Sequence, residues 1–292
     1  MSEEVFRQDL DENKAERAGG PFVIELLFRE PADMPSKERM SAVIKKHVGK
    51  TECFCHDGKT AGFAALDYRA EFQDQSVPVQ LMLTECTAFD GEEIDDFLRS
   101  QMWDCLEERD DILGNCRYRV FATDMLARAL PAVQRATLDM DFLEALSELY
   151  PDCEAFYFPS SGKLFTAESV RQHETEGTNR FIYFGVNVRF FNVQDSEDMV
   201  VDTLGMSTLF LPDLQYHFHG MNPNWVVNHA YNVAAYLLGS GNVIADGETV
   251  DGVVDGAMSS ELHWSCRYED ALIQPPREVL DINMGEYASG TR

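Results

Sequence analysis

Apolar side chains first gather at residues 22–28 (Phe-Val-Ile-Glu-Leu-Leu-Phe), where the pattern predicts a buried strand. Pro31 and Pro35 mark the exit, and Ser36 is placed to cap a helix with Met40, Val43, Ile44 and Val48 on its apolar face. Strands are expected at 52–56, 62–72 and 77–86, the last with Val77, Val79, Leu81 and Leu83 on one side. Ile94, Phe97, Leu98, Met102, Cys105 and Leu106 recur at helical spacing and predict one amphipathic helix over 92–109. Glu92, Glu93, Asp95 and Asp96 suit its N-terminus. A strand is expected at 117–125. A helical stretch follows at 131–150, broken or restarted near Asp139 or Asp141, with Asp141 and Glu144 spaced as a capping box.

Beyond Pro151 the pattern predicts strands at 155–158 and 163–166 around a Pro-Ser-Ser-Gly turn, then a short helix at 167–173. A long strand at 181–193 would place Ile182, Phe184, Val186, Val188 and Phe190 on one face. Residues 199–211 read as strand and 222–238 as helix, with short strands near 243–244 and 262–268 and an extended tail around Pro275-Pro276. Strands that follow one another without helices between them indicate an α+β fold with mixed or antiparallel sheets and helices on one face. The order of elements is open to reading as two related α+β halves. The expected organisation is a flexible leader at 1–20, an α+β part at 21–130, a helical connector at 131–150, a second α+β part at 151–284 and a tail at 285–292.

Charge changes this picture most. Lys and Arg total 24 against 51 Asp and Glu, a formal net charge of -27. Such a chain is repelled by nucleic acid and anionic membranes and attracts basic proteins or cationic ligands. Acidity also keeps a protein soluble, which is its commoner meaning. The seven cysteines are scattered, the acidic start has no apolar signal core, and the longest uncharged run, 214–245, is too rich in His and Asn to cross a membrane. A cytoplasmic protein is expected.

Residues 190–266 hold no Lys or Arg, yet carry Asp195, Glu197, Asp198, Asp202, Asp213, Asp246, Glu248, Asp251, Asp255 and Glu261. His217 and His219 would share one face of a strand, a two-ligand arm for a divalent metal such as zinc or iron. His229, with a carboxylate such as Asp202, Asp213 or Asp246, could extend the set, although histidines on a sheet face are the commoner outcome. In the 222–238 helix, capped by Asn222-Pro223, Trp225, Asn228, His229, Asn232 and Tyr236 line one stripe of an otherwise apolar surface. That stripe either bonds neighbouring main chain and locks the fold, or lines a pocket or partner surface. Cys53-x-Cys55-His56 lacks a second cysteine pair, and Asp246–Gly252 lacks the acidic spacing of a calcium loop. No nucleophile elbow or phosphate-binding glycine loop is present, and no residue is assigned a catalytic role.

The segments Phe28-Arg29-Glu30-Pro31, Val201-Asp202-Thr203-Leu204-Gly205-Met206, Leu211-Pro212-Asp213-Leu214-Gln215 and Val227-Asn228-His229-Ala230-Tyr231-Asn232, with Tyr268-Glu269-Asp270 and Gln274-Pro275-Pro276-Arg277, resemble a bacterial family catalogued only as a domain of unknown function. The resemblance covers roughly residues 22–283 and implies a bacterial α+β protein, with no catalytic residues to transfer. The leading expectation is a non-catalytic acidic binding module, immunity- or inhibitor-like, for a basic or cationic partner. Alternatives are a metal-dependent hydrolase built on His217, His219, His229 and Asp202, and a small-ligand protein using the Trp225–Tyr236 stripe.

Overall fold

The computed structural model describes residues 5–8, 11 and 15–290. Two compact units divide the chain, one of residues 19–185 and one joining 1–18 to 186–292. The first contains β1 (Val23–Phe28), α1 (Lys37–Val48), β2 (Thr51–His56), β3 (Thr60–Glu71), β4 (Ser76–Thr84), the short β5 (Thr87–Ala88), α2 (Asp96–Ser100) and α3 (Arg109–Asn115). It continues with β6 (Tyr118–Met125), α4 (Ala132–Leu149), β7 (Ala155–Phe158), β8 (Lys163–Thr166), α5 (Ala167–Gln172) and α6 (Asn179–Gly185). Its antiparallel sheet runs β2-β3-β4-β6-β1-β7-β8, with β5 also paired to β6.

The central strand β1 is buried from Ile24 to Phe28, as a strand covered on both faces must be. Phe28 meets Tyr150 at the end of α4, with ring centroids 5.8 Å apart. Leu27 faces the other way, into a cluster with Phe89, Ile94, Met102, Cys105, Ile112 and Leu113. Helical segments therefore cover both faces in this unit, where one-face packing was expected.

That cluster also explains why 92–109 is not one helix. Asp90 accepts from the Glu92 amide and Asp95 from the Leu98 amide, so each caps a separate short turn. Arg99 takes up the carbonyls of Ile94 and Gly91, and Arg109 takes that of Arg99. The apolar spacing is satisfied by short pieces, because competing caps and arginine side chains end each one. By contrast α4 runs unbroken through Asp139 and Asp141. Arg135 Nε donates to Asp124 Oδ2 at 2.7 Å, and Asp139 is buried beside that pair at 3.8 Å. Asp141 and Glu144 form no capping box; both bind Arg180. The expected strand at 181–193 divides: Phe181, Ile182 and Phe184 are buried in α6, and only Asn187–Asn192 extends. A wholly apolar run fits either period, and the aromatic contacts of Phe184 with Phe165 and of Phe181 with Phe22 decide for the helix here.

The second unit contains β9 (Asn187–Asn192), β10 (Met199–Leu204), β11 (Asp213–Phe218), α7 (Pro223–Ser240), β12 (Thr249–Val254), β13 (Ala257–Asp270) and β14 (Glu278–Asn283). Its sheet runs β12-β13-β14-β11-β10-β9, with β11 and β14 parallel and every other pair antiparallel. Two three-stranded meanders are thus joined by α7, which packs on β9 through β12. This order differs from that of the first unit, so the two do not repeat one topology.

The partition expected at 131–150 is displaced. α4, β7 and β8 belong to the first unit, β7 pairing with β1. The expected tail around Pro275-Pro276 instead leads into β14, an interior strand whose Val279, Leu280, Asp281 and Ile282 are buried. In the expected leader, the Gln8 side chain donates to the Leu272 carbonyl and accepts from the Gln274 amide, and the Glu16 amide donates to the Pro276 carbonyl. Residues 1–4, 9–10 and 12–14 of that leader lie outside the described residues. Among the described residues, no helix is long and apolar enough to cross a membrane.

Candidate functional site

α7 starts as its sequence dictates: the Asn222 side chain accepts from the Asn224 amide, and Pro223 follows at the first turn. Val226, His229, Ala230, Val233, Ala234, Leu237 and Leu238 are buried against the sheet. Asn228, Asn232 and Tyr236 recur every fourth residue on the outer face and are exposed. Trp225 lies over the β12–β13 turn, where Asp255 and Gly256 both have positive φ. A Cβ on Gly256 would come within 2.8 Å of Trp225 Nε1, so glycine is required there by both backbone and space.

The stripe read from the sequence therefore splits into two roles. His229 is 1% exposed; its Nε2 lies 2.7 Å from the Asp251 carbonyl oxygen and its Nδ1 2.9 Å from the Tyr216 hydroxyl. A carbonyl only accepts, so Nε2 carries the proton and Nδ1 accepts from Tyr216. Trp264 closes the group, its ring centroid 4.8 Å from that of His229. Burial lowers the His229 pKa from its usual value, against the opposing pull of the Asp251 carbonyl, and burial raises that of Tyr216. With both nitrogens engaged, His229 joins β11, α7 and β12 as a brace rather than serving as a metal ligand.

The other proposed ligands are dispersed as well. Asp202 is fully buried; Arg189 donates to its two oxygens at 2.8 and 2.5 Å, and Arg277 donates to Oδ2 at 2.7 Å. Asp213 Oδ1 accepts from the Thr203 hydroxyl at 2.9 Å and the Met206 amide at 3.2 Å. Its Oδ2 and Glu16 Oε2 approach Arg277 Nε at 3.5 and 3.8 Å. Burial and the Asp213 charge raise the Glu16 carboxyl to about 7, and burial also raises Asp213. These carboxylates complete an internal charge network with two arginines that flank the basic-free stretch.

His217 and His219 do approach one carboxylate, that of Asp198. His219 Nδ1 lies 3.0 Å from Ser289 Oγ, which donates to Asp198 Oδ1 at 2.7 Å, and His217 Nε2 lies 3.6 Å from Asp198 Oδ2. Ser289 donates its hydrogen bond to the Asp198 carboxylate rather than to a histidine nitrogen, and a carboxylate held below its usual range is a weak base for activating a hydroxyl. That hydrogen bond is the main cause holding Asp198 below the usual carboxylate range. Cys53 and Cys55 bond main-chain carbonyls across a bulge, and His56 Nε2 donates to the Pro35 carbonyl. Among the described residues, no group of three or more His, Cys, Asp or Glu is arranged to hold a metal ion.

The remaining carboxylates fall in two places. Asp195, Glu197 and Asp198 lie on the β9–β10 connection, at one edge of the sheet. Asp246, Glu248, Asp251, Asp255 and Glu261 surround the β12–β13 hairpin at the other. Between that hairpin and α7 is an open cleft of about 870 Å³, lined by Asn232, Val233, Tyr236, Val243, Ile244, Gly247, Glu248, Thr249, Val250, Asp251 and Met258. Tyr236, Val243 and Met258 are large, apolar and exposed there. Glu248 Oε2 accepts from the Ala245 amide at 2.7 Å, and Asp251 Oδ1 lies 3.6 Å from His263 Nδ1. Two stripe residues, Asn232 and Tyr236, line the cleft, whereas Trp225 and Asn228 do not. The strand β12 was not anticipated; Asp255-Gly256 is the hairpin dipeptide that could have revealed it.

Residues 202–283 match the model of a family described as "Domain of unknown function (DUF4261)". The resemblance to a family catalogued only in that way is thus borne out over β10 to β14, the stretch that holds α7 and the whole cleft. No curated protein and no solved structure matches the chain.

Proposed function

We propose that this protein is a non-catalytic binding module whose second unit holds a basic or cationic partner in the cleft between α7 and the β12–β13 hairpin. The observation that carries this reading is the placement of Glu248 and Asp251 beside exposed Tyr236, Val243 and Met258, within a stretch lacking Lys and Arg. An ammonium or guanidinium group would meet carboxylates there, its aliphatic stem would cover apolar surface, and the exposed Tyr236 adds an aromatic ring of the kind that attracts cations. The net charge of -27 adds long-range attraction for such a partner. An immunity- or inhibitor-like role, masking the basic surface of another protein, is the version that a cleft pairing Glu248 and Asp251 with exposed apolar side chains fits best. The metal-dependent hydrolase reading has no comparable support, because its ligand set is divided among the His229 brace, the Asp202 network and the Asp198 group.

Free thiols at all seven cysteines suit a reducing cytoplasm, and a bacterial source accords with the family resemblance. The test is a salt titration of a fluorescein-labelled lysine-rich peptide binding to the full chain, followed by fluorescence anisotropy. Affinity should fall about tenfold or more between about 50 and about 500 mM NaCl, and a glutamate-substituted peptide should not bind. Equal binding of the two peptides, or affinity independent of salt, would contradict the reading.

A further inference from the structure

We infer that the partner adds to the second unit as an extended strand along the outer edge of β12; this rests on the reading above and specifies the form in which the partner is held. β12 ends the strand order, so β13 pairs with it on one side only. Two bracketing bonds fix which main-chain groups face outward. The Glu248 carbonyl accepts from the Cys266 amide at 2.8 Å, so it points toward β13. The Asp251 carbonyl instead accepts from His229. With Val250 opposite Trp264 in the ladder, alternation turns the amide and carbonyl of the exposed Thr249, and the amide of Asp251, toward the open edge. These are the groups that an added strand would pair with, and Thr249, Val250 and Asp251 all line the cleft.

The chemistry of this edge selects its occupant. Exposed edges are commonly blunted by lysine, proline or a bulge; β12 has no Lys or Pro, and its register irregularity falls after Asp251, so Thr249 to Asp251 keep a regular ladder. It carries Asp251 in the strand and Glu248 just before it, with Asp246, Asp255 and Glu261 close in sequence. A second copy of this chain pairing edge to edge would bring like charges together, which disfavours self-association along β12. A segment of alternating basic and apolar residues meets the opposite situation, with carboxylates beside its cations and Tyr236, Val243 and Met258 available to its apolar side chains. The occupant is therefore an extended basic segment of another polypeptide.

The experiment uses the full chain and a fluorescein-labelled peptide of alternating Lys and Val, alongside the same peptide N-methylated at alternate backbone amides. N-methylation preserves charge and side chains but removes the donors needed for a ladder. Binding is compared for the unmodified protein, for Thr249→Pro, and for the double variant Glu248→Gln/Asp251→Asn. Proline is tolerated on an outward-facing edge position, so Thr249→Pro should keep its circular dichroism and melting temperature. Strand addition predicts that Thr249→Pro and peptide N-methylation each weaken binding about tenfold or more. If Thr249→Pro fails to fold, the methylated peptide on the unmodified protein decides the question. Should both bind at full strength while Glu248→Gln/Asp251→Asn weakens capture, strand addition is wrong and the cationic cleft stands. If none of the three changes affects binding, or the Lys-Val peptide does not bind at all, the cleft reading fails as well.

Discussion

His229 Nε2 lies 2.7 Å from the main-chain carbonyl oxygen of Asp251, and through that bond a buried helix residue holds the strand that forms one wall of the cleft. The brace makes the second unit sensitive to acid. The His229 pKa is lower in the folded protein than its ordinary value of 6.5, so its contribution is complete above pH 6.5 and is lost as the pH falls toward the folded value. Urea unfolding should show stability dropping by up to about 1.4 kcal/mol per pH unit from this residue below pH 6.5. His229→Leu should cost about 1–3 kcal/mol near pH 7.5, because Tyr216 and Asp251 lose their partner, and should flatten this part of the pH dependence. A slope that His229→Leu leaves unchanged would assign the acid sensitivity elsewhere.

Glu16 titrates in the opposite sense. Its carboxyl is raised to about 7 by burial first and by the Asp213 charge second, against an ordinary value of 4.5. The stabilisation from the bound segment is complete below pH 4.5 and is lost as the pH rises through about 7. Hydrogen exchange at the Glu16 amide, which donates to the Pro276 carbonyl, should therefore lose protection as the pH rises from 4.5 to about 7, after correction for intrinsic rates. Glu16→Gln should retain that protection at the higher pH.

Asp202 is the keystone of the internal charge network, since Arg189 and Arg277 both bond to it. Asp202→Ala would leave two buried guanidinium groups short of their counter-ion and should destabilise the protein by about 3–5 kcal/mol in denaturant unfolding. Removing Glu148, whose ion pair with Lys46 is exposed, should cost less than about 1 kcal/mol by the same measurement.

The outer face of α7 should divide functionally where the cleft divides it. Tyr236→Ala removes an exposed ring, so it should leave the melting temperature nearly unchanged and weaken capture of a lysine-rich peptide about fivefold or more. Asn228→Ala, on the same face but outside the cleft, should affect neither measurement by more than experimental error.

Local signals were legible where one residue decides the outcome. Ser36, Asn222-Pro223 and the Pro-Ser-Ser-Gly turn all act through short-range bonds, and each marks the element it was expected to mark. The failures share a different origin. Asp90, Asp95 and Arg99 divide the 92–109 pattern through bonds that helical spacing does not encode. Residues 181–184 are apolar enough to suit either period, and their aromatic neighbours come from distant segments. At the candidate site, the sequence identified the helix, the stripe and the absence of basic residues. It could not reveal that Asp202 and Asp213 turn inward to Arg189 and Arg277, because those arginines lie beyond the stretch that looked unbalanced. Nor did it show β12, whose exposed Thr249 and interior Gly252 disguise a strand.

The central claim concerns where on a generally acidic molecule a cation is held, and hydrogen exchange with a saturating lysine-rich peptide tests it most directly. Capture in the cleft predicts added protection across residues 243–258 and in the second half of α7, with the β9–β10 connection unchanged. Protection confined to the connection that carries Asp195, Glu197 and Asp198, or to residues 19–185, would contradict the account.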